Sequence, residues 1–186
     1  MYKNMSVSEY LDQLAAKIPV PGGGSSSALC AACAAALVSM VVNFTLGKSQ
    51  YLRYEKRLKD ILNRSESIRN DFLRMVDLDA VAYKSHNTKD ALSVPFMVSR
   101  LCLEGIRLCP FLIKAGNRNL LSDVAVAAVL FEAGFATASY NVKINLKVLN
   151  DSNISRKILN EINRNSKTVK RIRIELENKV DKAIRG

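Results

Sequence analysis

Apolar and polar positions along the chain alternate with the period of packed helices, in steps of three and four. The clearest stripe, Tyr54, Leu58, Ile61, Ile68, Phe72 and Met75, predicts a long amphipathic helix over 51–86, with arginine, lysine and glutamate on its other side. Ser6 or Ser8 caps a short first helix that ends near Lys17, where Pro19 and Pro21 close it. After the loop "PVPGGG", Ser25 or Ser26 caps a second helix over 25–46. A fourth helix starts in "SHNTKDALS" and runs to Ala115, with Pro95 near its beginning and a kink at Pro110. The loop "AGNRNLLSD" precedes a fifth helix over 122–149, and a sixth covers 153–184. Nothing reads as strand, repeat or linker. The predicted fold class is all-α: a bundle of about six helices with long antiparallel members, in one domain over 1–186.

The stretch "IPVPGGGSSSALCAACAAALVSMVVNFTLGKS", residues 18–49, admits several chemistries. A phosphate loop needs glycine, four residues, then Gly-Lys-Ser or Gly-Lys-Thr, and here Val42 stands where that first glycine belongs. The triple glycine lies about 35 Å from Gly47 along a straight helix at 1.5 Å per residue, so one subunit cannot form the cradle. A membrane span is disfavoured, because Ser39, Asn43 and Thr45 interrupt the apolar run. Cys30 and Cys33 have redox-like spacing, but no strand precedes them and no further zinc ligands accompany them, so all four cysteines (30, 33, 102 and 109) read as small core residues. What remains is a glycine loop running into a helix N-terminus, either a capped turn or a site for an oxygen-rich ligand.

Two polar placements are sharper. Extending the long stripe brings Asp79 onto the core-facing seam, while Asp77 lies about 200° around the helix and faces water. A carboxylate on an apolar seam needs a partner, and burial raises its pKa toward the range useful for proton transfer. Antiparallel pairing of helices two and three sets Asp79 near Ser25, with Lys48 at the far end. On helix five, Asp123, Gly134, Asn141 and Asn145 share a small-and-polar stripe, yet Asp123 and Asn141 stand about 27 Å apart. His86 is the only histidine and sits at a helix end, which leaves a catalytic triad or histidine metal site unsupported.

Composition narrows the partner. The formal net charge of +11 calls for an anionic ligand or surface. Residues 151–186 carry ten Lys/Arg against five Asp/Glu, but without interleaved aromatics or a DNA-reading motif, which leaves a basic nucleic-acid-binding protein as a weaker alternative. The N-terminus "MYKNMSVSEY" lacks an apolar signal core, and with reduced cysteines a cytoplasmic location is expected.

The segments "PVPGGGSSSAL", "VVNFTLGKSQY", "VDLDAVAY", "GNRNLLSDVAVAAVLFEA" and "NVKINL", in this order and spacing, resemble the cyclodeaminase family of folate enzymes. That family includes the cyclodeaminase part of formiminotransferase-cyclodeaminase and stand-alone bacterial methenyltetrahydrofolate cyclohydrolases. The resemblance covers residues 5–150; "YKSHNTKDALSVPF" departs from the family's usual Leu-Pro-Lys-type segment. It implies an all-α homodimer with folate sites near the subunit interface, no metal, and no cofactor beyond a tetrahydrofolate derivative, with or without a polyglutamate tail, as substrate. It implies substrate-binding roles for Gly22, Gly23, Gly24, Ser25, Asn117, Ser122, Asn141 and Asn145. Asp79 or Asp123 becomes the expected base and Lys48 the proton donor or charge partner, with Arg53 and Arg118 toward the folate glutamate. The expected reaction is hydrolysis of 5,10-methenyltetrahydrofolate to 10-formyltetrahydrofolate, with cyclodeamination of 5-formiminotetrahydrofolate as runner-up. A folate binder that has lost catalysis is a third reading. Neither a nucleic acid nor a membrane is expected as partner.

Overall fold

The computed structural model describes residues 1–185. α1 (Val7–Ala15) opens with a capping box, in which Ser6 Oγ accepts the Glu9 N–H at 3.3 Å and Glu9 Oε2 accepts the Ser6 N–H at 2.7 Å. The helices that follow are α2 (Gly23–Asn43), α3 (Glu55–Lys84), α4 (Thr88–Ile106), α5 (Cys109–Ala115), α6 (Leu121–Leu149) and α7 (Ser152–Arg185). Short 3-10 turns cover Tyr2–Asn4, Ser49–Tyr54 and Arg118–Leu120, and no strand occurs among the described residues.

α2 lies at the centre, between α3 and α6; α4 closes over α3 and α6, and α7 packs along α6. Its fully buried Ala28, Ala31, Ala34 and Ala35 have short side chains, which lets both neighbours approach closely. The α3 stripe supplies Leu58, Ile61, Ile68 and Phe72 to the same core. Polar contacts also cross it, among them the Ser39 and Ser65 hydroxyls 2.8 Å apart, each buried and each satisfied.

Several boundaries differ from the sequence expectation, among them the end of α2 at Asn43. α2 begins at Gly23, two residues early, with Gly22 as its N-cap and no side-chain cap of its own. Residues 49–54, partly assigned to the long helix, form a 3-10 turn before α3. Pro110 does more than kink its helix: it has no N–H for the Ile106 carbonyl, so α4 ends at Ile106 and α5 starts afresh with Pro110 in its first turn. The fourth of the expected helices is therefore two.

The cysteines divide. Cys102 and Cys109 are core residues, and burial pushes the Cys109 thiol up to about 12. Cys33, expected inside, is exposed, and Cys30 is half-buried with its Sγ donating to the Leu130 carbonyl at 3.5 Å. Both lie on the outer surface of the α2–α6 pair. Several apolar side chains are exposed there, with Phe44 beyond the end of α2 and Val126, Val129, Tyr140 and Ile144 along α6. Two segments, Gly23–Asn43 and Arg118–Leu149, are long and apolar enough to cross a membrane. The first is mostly buried inside the bundle, as expected of a core helix; the second leaves most of its apolar window uncovered.

Candidate active site

Gly22 carries no side chain to cap α2, so the first N–H groups of the helix need an outside acceptor. Asp79 provides it from α3: its Oδ2 accepts the Ser25 N–H at 3.0 Å. A carboxylate thus sits at the positive end of the α2 dipole, which favours its ionised form. Burial acts the other way and is the larger effect, so the Asp79 pKa is raised above the ordinary 3.8, with the Ser25 N–H opposing part of the rise. The chain approaches the carboxylate so closely that a Cβ on Gly24 would fall 1.9 Å from Asp79 Oδ1. Glycine at 24 is therefore a spatial requirement of the site.

Ser25 itself faces inward. Its Oγ donates to the Val76 carbonyl at 3.0 Å and lies 3.0 Å from the Tyr10 hydroxyl, which ties α1, α2 and α3 together beneath the turn. With its proton committed to Val76, Ser25 Oγ accepts from Tyr10. Ser25 positions Asp79 and does not line the cavity.

Above the carboxylate is a cavity of about 230 Å³, lined by Gly22, Gly23, Gly24, Asp79, Asn141 and Asn145, with Tyr83 and the Pro19–Val20 segment at its edges. The Asn141 amide nitrogen donates to the Thr137 carbonyl at 3.2 Å, and the Asn145 amide nitrogen to the Ala91 carbonyl at 2.6 Å. Both asparagines thereby keep their carbonyl oxygens for a ligand. Among the described residues no lysine or arginine lines this cavity, so its asparagine and aspartate side chains present acceptors and suit a cationic or donor-bearing group.

Lys48 and Asn117 lie elsewhere. They line a second cavity of about 910 Å³ beyond the other end of α2, together with Arg53, Lys114, Arg118 and Lys179. Five cations meet there, with no carboxylate among the described lining residues. Asn117 is a buried latch: its N–H donates to Thr45 Oγ1 at 2.9 Å, its Nδ2 to the Phe44 carbonyl at 3.4 Å, and its Oδ1 accepts the Asn119 N–H at 3.2 Å. Ser122 and Asp123 stand in the first turn of α6 at this same end, beside the lining residue Leu121 but not themselves lining the cavity. Asp79 and Asp123 therefore share no cavity. Asp77, expected to face water, is partly covered instead: its Oδ1 accepts the Lys3 N–H at 3.4 Å and its Oδ2 is buried with no partner among the described residues.

A model of the formiminotransferase-cyclodeaminase family matches this chain over residues 6–87 and 84–164. The chain belongs to that family. It is 35% identical over 185 residues to a methenyltetrahydrofolate cyclohydrolase of Methylorubrum extorquens, covering 87% of this chain and 89% of that protein. It is 28% identical to the rat formimidoyltransferase-cyclodeaminase over 169 residues, 78% of this chain but only 31% of that longer protein. The crystal structure of a formiminotetrahydrofolate cyclodeaminase from Thermotoga maritima superposes with a TM-score of 0.93 at 27% identity, covering 99% of this chain and 100% of that one. The all-helical architecture is thus shared with that structure along nearly the whole length.

Sequence reasoning missed Tyr10, Tyr83 and Ala91 around the Asp79 cavity, and Lys114 and Lys179 in the basic one. Tyr83 was legible as the residue one turn beyond Asp79 on the same helix face. Lys179, at the far end of α7, had no local signal.

Proposed function

We propose that this chain hydrolyses 5,10-methenyltetrahydrofolate to 10-formyltetrahydrofolate in the Asp79 cavity. The observation that carries this reading is the acceptor lining: a half-buried carboxylate and two asparagine oxygens, with no cation among them. The methenyl bridge is an amidinium cation, electrophilic at carbon, and such a cavity suits it electrostatically. Similarity to a methenyltetrahydrofolate cyclohydrolase along most of that protein's length supports the same reaction.

In the reaction, Asp79 takes a proton from water as the water oxygen bonds to the methenyl carbon. The resulting hydroxyl adduct collapses to a formyl group: the bond from carbon to N5 breaks, its electron pair stays on N5, and N5 takes up a proton. Lys48 donates that proton and is recharged by the one leaving the adduct hydroxyl. The proton on Asp79 passes to solvent, so one proton is released per turnover.

Lys48 cannot reach Asp79 in its own subunit, because the 21-residue α2 separates the two cavities by about 30 Å. The functional unit is therefore a homodimer. The uncovered apolar α2–α6 face is the surface a second copy occupies, and two-fold pairing with the α2 helices antiparallel brings one chain's Lys48 toward the other chain's Asp79. The basic cavity then continues the site, and Arg53 and Arg118 receive the carboxylates of the folate glutamate.

One observation favours a second reaction, the structural likeness to a formiminotetrahydrofolate cyclodeaminase. There N10 would attack the formimino carbon and ammonia would leave, through a similar tetrahedral carbon between two nitrogens. Parallel assays separate the two. Loss of methenyltetrahydrofolate absorbance above buffer hydrolysis, without ammonia release from 5-formiminotetrahydrofolate, is the expected result. Ammonia release at a comparable or greater rate would move the assignment to the cyclodeaminase, and neither activity would refute both.

A further inference from the structure

Pro95 lies inside α4 and is buried, a costly place for a residue without an N–H. In an unbroken helix, residue 95 donates to the carbonyl of residue 91. Proline at 95 leaves the Ala91 carbonyl without that donor, and the Asn145 amide nitrogen, arriving from α6, takes the vacant place at 2.6 Å. The amide cannot be turned around, because its oxygen would then face the Ala91 oxygen. Asn145 Oδ1 therefore has a fixed orientation, and no protein donor reaches it among the described residues. Asn145 and Ala91 both line the cavity that holds Asp79.

We propose that Pro95 is a positioning residue: the missing N–H anchors Asn145 through Ala91, and Asn145 Oδ1 then holds the attacking water against Asp79. A water that donates one hydrogen to the Asp79 carboxylate and the other to Asn145 Oδ1 turns its lone pairs toward the methenyl carbon. Asp79 removes the first hydrogen as the carbon–oxygen bond forms, and Asn145 keeps the second in place without taking it. This rests on the hydrolytic reading of the cavity and adds to it the residue that aims the nucleophile and the one that aims that residue. It also gives α4 a reason to carry a proline about two turns in.

The test is a double-mutant cycle in the full-length protein. Asn145→Ala lowers kcat about 100-fold, the size of effect that misplacing a reacting group produces. Pro95→Val restores an N–H while roughly keeping the volume, so residue 95 reclaims the Ala91 carbonyl and Asn145 swings free. That variant lowers kcat about 10-fold while its thermal midpoint does not fall. The combined variant is no slower than Asn145→Ala alone, because both changes remove one arrangement. Full additivity of the two effects, or a Pro95→Val enzyme with wild-type kcat, would overturn the proposal. A readout independent of turnover is the Asn145 side-chain amide pair in the 1H–15N spectrum, assigned by its disappearance in Asn145→Ala. Pro95→Val is expected to move its bonded proton to the position of a solvent-exposed amide, and an unmoved resonance would refute the anchoring even if neither folate substrate is turned over.

Discussion

Asp79 is held between opposing influences, burial against ionisation and the α2 N-terminus in favour of it, and burial prevails. Because folding raises its pKa, the folded chain binds this proton more tightly than the unfolded chain. Ionising Asp79 then costs stability as pH climbs from the unfolded value near 3.8 through the raised folded one. Asp79→Asn removes that cost while an amide oxygen can still accept the Ser25 N–H, so this variant is expected to be at least as heat-stable as wild type at neutral pH. The same shift places the acid limb of the wild-type profile of kcat/KM against pH above the ordinary aspartate value, with activity rising as Asp79 ionises. At Gly24, the Cβ of alanine would land on the carboxylate, and the flexible side chain yields more readily than the backbone. Gly24→Ala is expected to lower kcat/KM at least about 100-fold with little change in melting temperature, because the fold survives and the base is displaced.

Among the elements, α3 was the most readable from sequence. Its apolar steps from Tyr54 to Met75 pointed Asp79 inward, and antiparallel pairing with α2 set it beside Ser25, where the Ser25 N–H meets it. The start of α2 was not readable locally, since a carboxylate 54 residues away substitutes for an N-cap side chain. Pro110 read as a kink where the helix in fact breaks, and the separate consequence of Pro95 needed Asn145 brought across from another helix. Cys30 and Cys33 misled, because an alanine-rich helix that is apolar all round shows no sequence mark of which face stays uncovered. Packing is also close where α4 meets α6: a Cβ on Gly105 would stand 2.4 Å from the ring of Phe131, a fully buried side chain. Gly105→Ala is expected to destabilise the protein by about 1–3 kcal/mol in denaturant titration, the usual cost of overpacking a core.

At the scale of the whole molecule, two cavities lie at opposite ends of α2, and the proposed folate site joins them, with the proposed base at one end and the proposed proton donor at the other. The exposed Tyr140, Ile144 and Val129 on α6 and Cys33 on α2 give the surface on which two copies would join the halves. If they do, mixing inactive Asp79→Asn with inactive Lys48→Ala and allowing subunits to exchange restores about a quarter of wild-type activity, because half the dimers are mixed and each carries one intact site. If each chain works alone, mixing restores nothing. The most direct measurement is the rate at which wild type and Asp79→Asn, side by side, deplete the absorbance of methenyltetrahydrofolate. Wild type is expected to outrun buffer hydrolysis and Asp79→Asn to fall by at least about 100-fold. A wild-type protein no faster than buffer, or an Asp79→Asn variant at the full rate, would contradict it.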